Sequence, residues 1–178
     1  MKRSIVVASI AAAFAGAVSI ADPNPAAPQA PYGDLTETLA LDDVWVDAER
    51  VFGKVDVDRN GEIDVDEYAA QAVVYAGLVR FNGVVAVDGR ELIHVGLPVK
   101  AAAMNEGERA SIDAVARADY YALTEADGPI TPRRWVEMRM ATFADADRNG
   151  DGQLTGRELH RYALDLARYA DDQDERWI

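Results

Sequence analysis

Oxygen-bearing side chains alternate through two twelve-residue stretches of this chain. The first places Asp56, Asp58, Asn60, Gly61, Glu62, Asp64 and Glu67 at positions 1, 3, 5, 6, 7, 9 and 12; the second places Asp147, Asn149, Asp151, Gly152, Gln153, Thr155 and Glu158 at the same positions. Both fit the spacing D-x-[DN]-x-[DN]-G-x5-E without exception. A hard cation chemistry follows. Calcium takes six to eight oxygens, and a chain that wraps the ion offers them from alternate residues. Asp56, Asp58 and Asn60 are the expected opening ligands, Glu62 contributes its backbone carbonyl, Asp64 acts through a water, and Glu67 closes the site with both carboxylate oxygens. In the second stretch the same roles fall to Asp147, Asn149, Asp151, Gln153 through its carbonyl, Thr155 through water, and Glu158. Glycine at the sixth position provides a bend that is costly for a residue with a Cβ.

A competing frame for the second stretch begins at Asp145. It would put Gly152 where an aliphatic residue belongs and Gly156 where the closing glutamate belongs, so the frame beginning at Asp147 is preferred. The plain alternative for both stretches is an acidic surface turn, but a turn has no need of glutamate at the twelfth position.

The surrounding sequence carries the elements that must hold these stretches. Shifting the first by 24 residues gives 80–91, and shifting the second back by 24 gives 123–134. Across the four frames the eighth position is aliphatic (Ile63, Val87, Ile130, Leu154) and the ninth can cap a following helix (Asp64, Asp88, Thr131, Thr155). A large apolar residue follows the twelfth position each time: Tyr68, Leu92, Trp135, Leu159. Phe52 and Phe143 stand four residues before the two complete stretches. This layout resembles the EF-hand superfamily, and the twelve-residue spacers 68–79 and 135–146 are similar to those of bacterial EF-hand proteins, including the lanthanide-binding lanmodulin type. The resemblance covers roughly residues 42–170. It implies an all-α fold of helix-loop-helix pairs with short β pairing between loops, the pairs lying at 42–97 and 105–170, each with one working and one degenerate loop. It also implies two calcium ions.

The inner frames lack metal ligands. Arg80 opens 80–91 and Val85 occupies its bend. Val84–Val87, Asp88-Gly89 and the following residues also read as a β-hairpin, and the two readings stay open. In 123–134, Leu123 replaces the first aspartate and Arg134 the closing glutamate; Arg134 either pairs with Glu125 or Asp127 in place of an ion or is a solvated helix residue. Between the pairs, Gly96 and Pro98 stop any helix, and Asn105 caps the next one, whose apolar face is Ile112, Val115, Ala116 and Leu123.

Composition bounds the rest. Residues 1–21 read as a secretory signal: Lys2 and Arg3, an apolar core from Ile5 to Val18, and small residues leading to cleavage near Ala21. Residues 22–41 form a linker rich in proline and alanine at its start, and 171–178 an acidic tail. The expected location is therefore periplasmic or secreted, with no membrane insertion after cleavage. The full chain has 18 basic and 31 acidic side chains. Loss of Lys2 and Arg3 with the signal leaves 16 basic residues and a net charge of −15, which argues against nucleic acid as a partner. With no cysteine, disulfides and thiolate metal sites are excluded. His94, His160 and Ser111 form no recognisable nucleophile–base arrangement, so a catalytic role is not expected. Three functional classes remain: a structural or buffering calcium protein, a calcium-dependent sensor that binds an unidentified protein, and a lanthanide binder. The sparse methionines (Met104, Met138, Met140) favour the first over a sensor groove. Val57 and Arg148 at the second loop positions depart from the proline of lanmodulin-type loops.

Overall fold

The computed structural model describes residues 34–87, 91–97, 99 and 103–170. The signal segment 1–21, the proline-rich start of the linker, the Asp88-Gly89 turn and the acidic tail 171–178 lie outside the described residues. The elements are β1 (Asp34–Leu35), β2 (Thr38–Ala40), α1 (Leu41–Val55), α2 (Val65–Asn82), β3 (Val84–Val87), β4 (Glu91–His94), α3 (Glu106–Asp127), α4 (Pro132–Ala146), β5 (Gln153–Thr155) and α5 (Gly156–Leu166). The fold is helical with short strand pairing, as expected, and no described helix is long and apolar enough to cross a membrane.

Local sequence explains the helix ends. Asp64 accepts from the Glu67 amide at 2.8 Å while the Glu67 carboxylate accepts from the Asp64 amide at 3.1 Å, a reciprocal cap that starts α2. Asn105 and Glu108 form the same pair at the start of α3. Pro132 takes the first position of α4, where its missing N–H costs nothing. Gly83 ends α2 in the left-handed region at φ +71°.

The loop pairing differs from the sequence expectation. Among the described residues, the loop 56–67 does not pair with 80–91. Its Ile63 bridges Ile130 of the degenerate loop 123–134, with the Ile63 amide donating to the Ile130 carbonyl at 2.9 Å. The loop 147–158 pairs instead with β2: Thr38 faces Thr155, Leu39 faces Leu154 and Ala40 faces Gln153 in an antiparallel ladder. The end of the expected linker is thus structured: Leu39 takes the place opposite Leu154 that Ile130 was expected to fill, and Ile130 takes the place opposite Ile63 that Val87 was expected to fill. The segment 84–94 takes its other reading. It is a hairpin in which Val85 faces Ile93 and Ala86 faces Leu92, with β1 parallel to β4 on the outer edge.

The physical reason is a repeat that can be extended in either direction. Shifting 56–67 back by 24 gives 32–43, whose eighth position is Leu39 and whose twelfth, Asp43, accepts from the Ala40 amide at 3.3 Å. The chain therefore contains two equivalent units, degenerate strand–helix–complete loop, built on α1 and on α4. Each complete loop pairs with the degenerate strand of the other unit. The strand before each helix lies beside the loop that follows the other helix, so α1 and α4 pack in opposite directions, while α2 packs on α3.

Two apolar cores result, one beneath each strand pairing. Leu39 and Leu154 sit among Val44, Phe143, Tyr162 and the hairpin residues Val85, Val87 and Ile93. Ile63 and Ile130 sit among Ala48, Phe52, Tyr68, Trp135 and Val136. Phe52 and Phe143, the aromatic residues ahead of the two loops, thus anchor different cores. Ile63, Ile130, Leu39 and Leu154 are each at most 1% exposed, so the burial of these four strand residues holds both loops to the body of the protein.

Candidate metal centre

Each complete loop is built on one scheme of hydrogen bonds to its own acidic and amide side chains. Asp56 accepts from the Gly61 amide at 3.0 Å, and Asp147 from the Gly152 amide at 3.0 Å, so the first position braces the bend at the sixth. Asp58 accepts from the Asn60 amide at 3.0 Å; Asn149 accepts from the Asp151 amide at 2.8 Å. Asn60 accepts from the Glu62 amide, and Asp151 from the Gln153 amide, both at 2.8 Å. The twelfth residue reaches back to the start of the loop: Glu67 Oε1 accepts from the Val57 amide at 2.7 Å and Glu158 Oε1 from the Arg148 amide at 3.1 Å. Asp147 also accepts from the Gly150 amide at 2.8 Å. In these bonds Asp147 corresponds to Asp56 and Glu158 to Glu67.

In the first loop, carboxylate oxygens of Asp56, Asp58 and Glu67 lie within 4.8 Å of one another. Asp56 is buried, with 7% exposure, at the end of α1. Three carboxylates held this close, with amides as their main hydrogen-bond donors, form an oxygen set suited to a hard divalent cation. The negative field extends to the neighbouring helix: the Tyr120 phenol lies above its usual range, first because burial disfavours the phenolate and then because Asp64 and Glu62 face it. In the second loop Asn149 and Asp151 exchange the residue types of Asp58 and Asn60, and the Asn149 amide nitrogen donates to Asp151 at 3.0 Å.

Two further features separate the loops. The fourth position is left-handed in both, but it is Arg59 at φ +58° in the first and Gly150 at φ +72° in the second. At the ninth position Asp64 caps α2, whereas Thr155 makes no side-chain cap bond to α5. Glu62, Gln153 and Thr155 are exposed on the loops, as their expected roles through a carbonyl or a water permit.

The degenerate loop 123–134 holds a feature the sequence left open. Arg134, 11% exposed in its side chain, turns inward and pairs with Asp127 at 3.1 Å, not Glu125. It also donates to the backbone carbonyls of Leu123, at 2.6 Å, and Gly128. Beyond the loops, Tyr68, which directly follows Glu67, is tied to the turn that follows α5. Its hydroxyl lies 3.3 Å from that of Tyr169 and accepts from Arg168 at 2.9 Å, and Tyr169 donates to Asp119 on α3 at 2.6 Å. No spacing rule could reveal this network, because it joins residues 50 to 101 positions apart.

Comparison with known proteins agrees with this geometry. Residues 48–73 and 140–163 match the EF hand family, each match spanning one complete loop with parts of its flanking helices. No curated protein and no solved structure matches the chain. The two matched segments, the helix-loop-helix fold and the acidic cluster at Asp56, Asp58 and Glu67 together place these loops with the EF-hand superfamily and point to calcium as their ligand.

Proposed function

We propose that this protein binds two calcium ions, one in each complete loop, and that the ions stabilise the fold or are buffered by it. The carrying observation is that the amides of the sixth and seventh positions bond the side chains of the first and fifth positions alike in both loops. Asp56, Asp58, Asn60, the Glu62 carbonyl and Glu67 would hold the first ion, with Asp64 acting through a water. Asp147, Asn149, Asp151, the Gln153 carbonyl and Glu158 would hold the second, with Thr155 in the water-mediated role. Calcium supplies charge neutralisation here; the protein supplies the wrapped backbone that lets several carboxylates share one ion.

The Tyr68, Tyr169, Arg168 and Asp119 network supports a structural or buffering role. It ties α2 to α3 and to the turn after α5, so an opening of the kind sensors undergo would break several partly buried hydrogen bonds. A calcium-dependent interaction module is the second reading. It is favoured by the apolar stripe Val74, Leu78 and Phe81 on α2, exposed by 63, 55 and 59%. The signal-like residues 1–21 support action outside the cytoplasm, in the periplasm or after secretion. Extracellular calcium modules need dissociation constants of only about 10⁻⁴–10⁻³ M.

Isothermal calorimetry of the chain from residue 22 onward tests the proposal. Two calcium ions per chain are expected; three, or none, would refute it. An apolar dye whose fluorescence rises with calcium would move the assignment to the interaction module. Ordering of the chain by lanthanum with no response to calcium would move it to lanthanide capture.

A further inference from the structure

We infer that Arg134 is a built-in cation that keeps the degenerate loop 123–134 folded without metal and thereby sets the calcium affinity of its partner loop, 56–67. The inference rests on calcium binding at 56–67.

Arg134 stands at the twelfth position of its loop, where Glu67 and Glu158 stand in the complete ones. Those glutamates reach back to the second-position amide with negative oxygens. Arg134 reaches back with the opposite charge to the opposite kind of partner. Its guanidinium donates to the carbonyls of positions one and six, Leu123 and Gly128, and pairs with the carboxylate of position five, Asp127. A cation thus sits amid the oxygens of the loop, and it is covalently attached.

The same group serves a second purpose. α3 has no basic residue in its last turn, where the negative end of the helix dipole lies. Arg134, arriving from α4, brings a positive charge to that end and bonds Leu123, one turn before it, and Gly128, just past it. It therefore bolts the end of α3 to the start of α4 around residues 128–131. Ile130 lies in that short segment, and its carbonyl is the acceptor for the Ile63 amide of the calcium loop. The loop 56–67 is consequently docked against a strand that needs no metal to form. Calcium then has one loop to order rather than two, and the ordering cost removed appears as affinity.

Arg134→Lys isolates this effect. It keeps the positive charge near the calcium loop, but one ammonium cannot reproduce a planar fork on three acceptors. In the metal-free full chain, the Ile63 amide should exchange faster with solvent. In a titration with calcium chloride, the NMR midpoint of Gly61 should move to higher calcium by about fivefold or more, while that of Gly152 stays in place. An unchanged Ile63 exchange rate, or equal shifts at Gly61 and Gly152, would overturn the inference. Were Arg134→Lys to leave the chain unfolded, Asp127→Asn provides the milder break: it must still accelerate Ile63 exchange and shift Gly61 selectively, and failure to do so is equally contrary. If Gly61 does not respond to calcium in the unaltered protein, it is the calcium assignment of 56–67 that fails, and Ile63 exchange still reports on the clamp.

Discussion

The loops 56–67 and 147–158 share a hydrogen-bond scheme yet are stabilised in different ways. The first concentrates charge: its side-chain ligands carry four carboxylates, three of them already within 4.8 Å of one another, and Asp64 caps the helix that follows. It is strained at Arg59 and joined to its neighbour by a single bridge. The second has three carboxylates and an uncapped α5, but glycine fills its left-handed fourth position and a three-residue ladder holds it to β2. One loop concentrates negative charge and the other has the more relaxed backbone. The difference teaches that matching motifs do not make equivalent sites; the strand each loop leans on and the residue at its tightest turn also count.

The largest expected effect comes from the closing glutamates. Glu67→Gln should weaken calcium binding at its own loop by on the order of a hundredfold or more, since even residues that merely support a metal ligand are commonly worth ten- to a hundredfold. Site-resolved titration should show the loss at Gly61 with Gly152 largely spared. Comparable loss at both would mean that the loops act as one site.

Next is the cross-pairing. Ile130→Ala should cost about 2–5 kcal/mol of stability, as large-to-small core changes do. It should loosen 56–67 in particular, and Leu39→Ala should do the same for 147–158. Hydrogen exchange at the Ile63 and Leu154 amides would read this out. The reverse assignment would contradict the pairing between the two units.

The smallest effect is at the fourth position. A non-glycine residue in the left-handed region costs about 1–2 kcal/mol, part of which a glycine returns through the greater freedom of its unfolded chain. Arg59→Gly should therefore raise thermal stability modestly, by about 1 kcal/mol or less. Gly150→Ala should lower it. Both are measured by calorimetric unfolding in chelator. Equal and opposite changes would show that backbone strain, rather than the lost guanidinium, controls the outcome.

The two complete loops were legible because coordination chemistry fixes residue types at fixed intervals. The caps at Asp64 and Asn105 were legible for a similar local reason. The pairing of the loops was not. A strand position asks only for an aliphatic residue, and Val87 and Ile130 meet that demand equally for Ile63, as Ile130 and Leu39 do for Leu154. The pairs that form, Ile63 with Ile130 and Leu39 with Leu154, join residues far apart in the chain. The inward turn of Arg134 was visible as one of two alternatives, because sequence shows the charge but not the carbonyls that receive it. Gly150 had a use that composition conceals: its flexibility would suggest a looser loop, yet its φ of +72° meets a backbone demand that Arg59 meets under strain.

Calcium titration of the full chain followed by NMR at the Gly61 and Gly152 amides tests the central claim most directly. Each amide donates to the first aspartate of its loop, Asp56 or Asp147, and so reports on that loop alone. Two saturable responses are predicted, that of Gly61 preceding that of Gly152 because the first loop gathers more carboxylate charge. Saturation of Gly152 first would show that backbone fit outweighs charge, and silence at both amides would contradict the assignment of these loops as calcium sites.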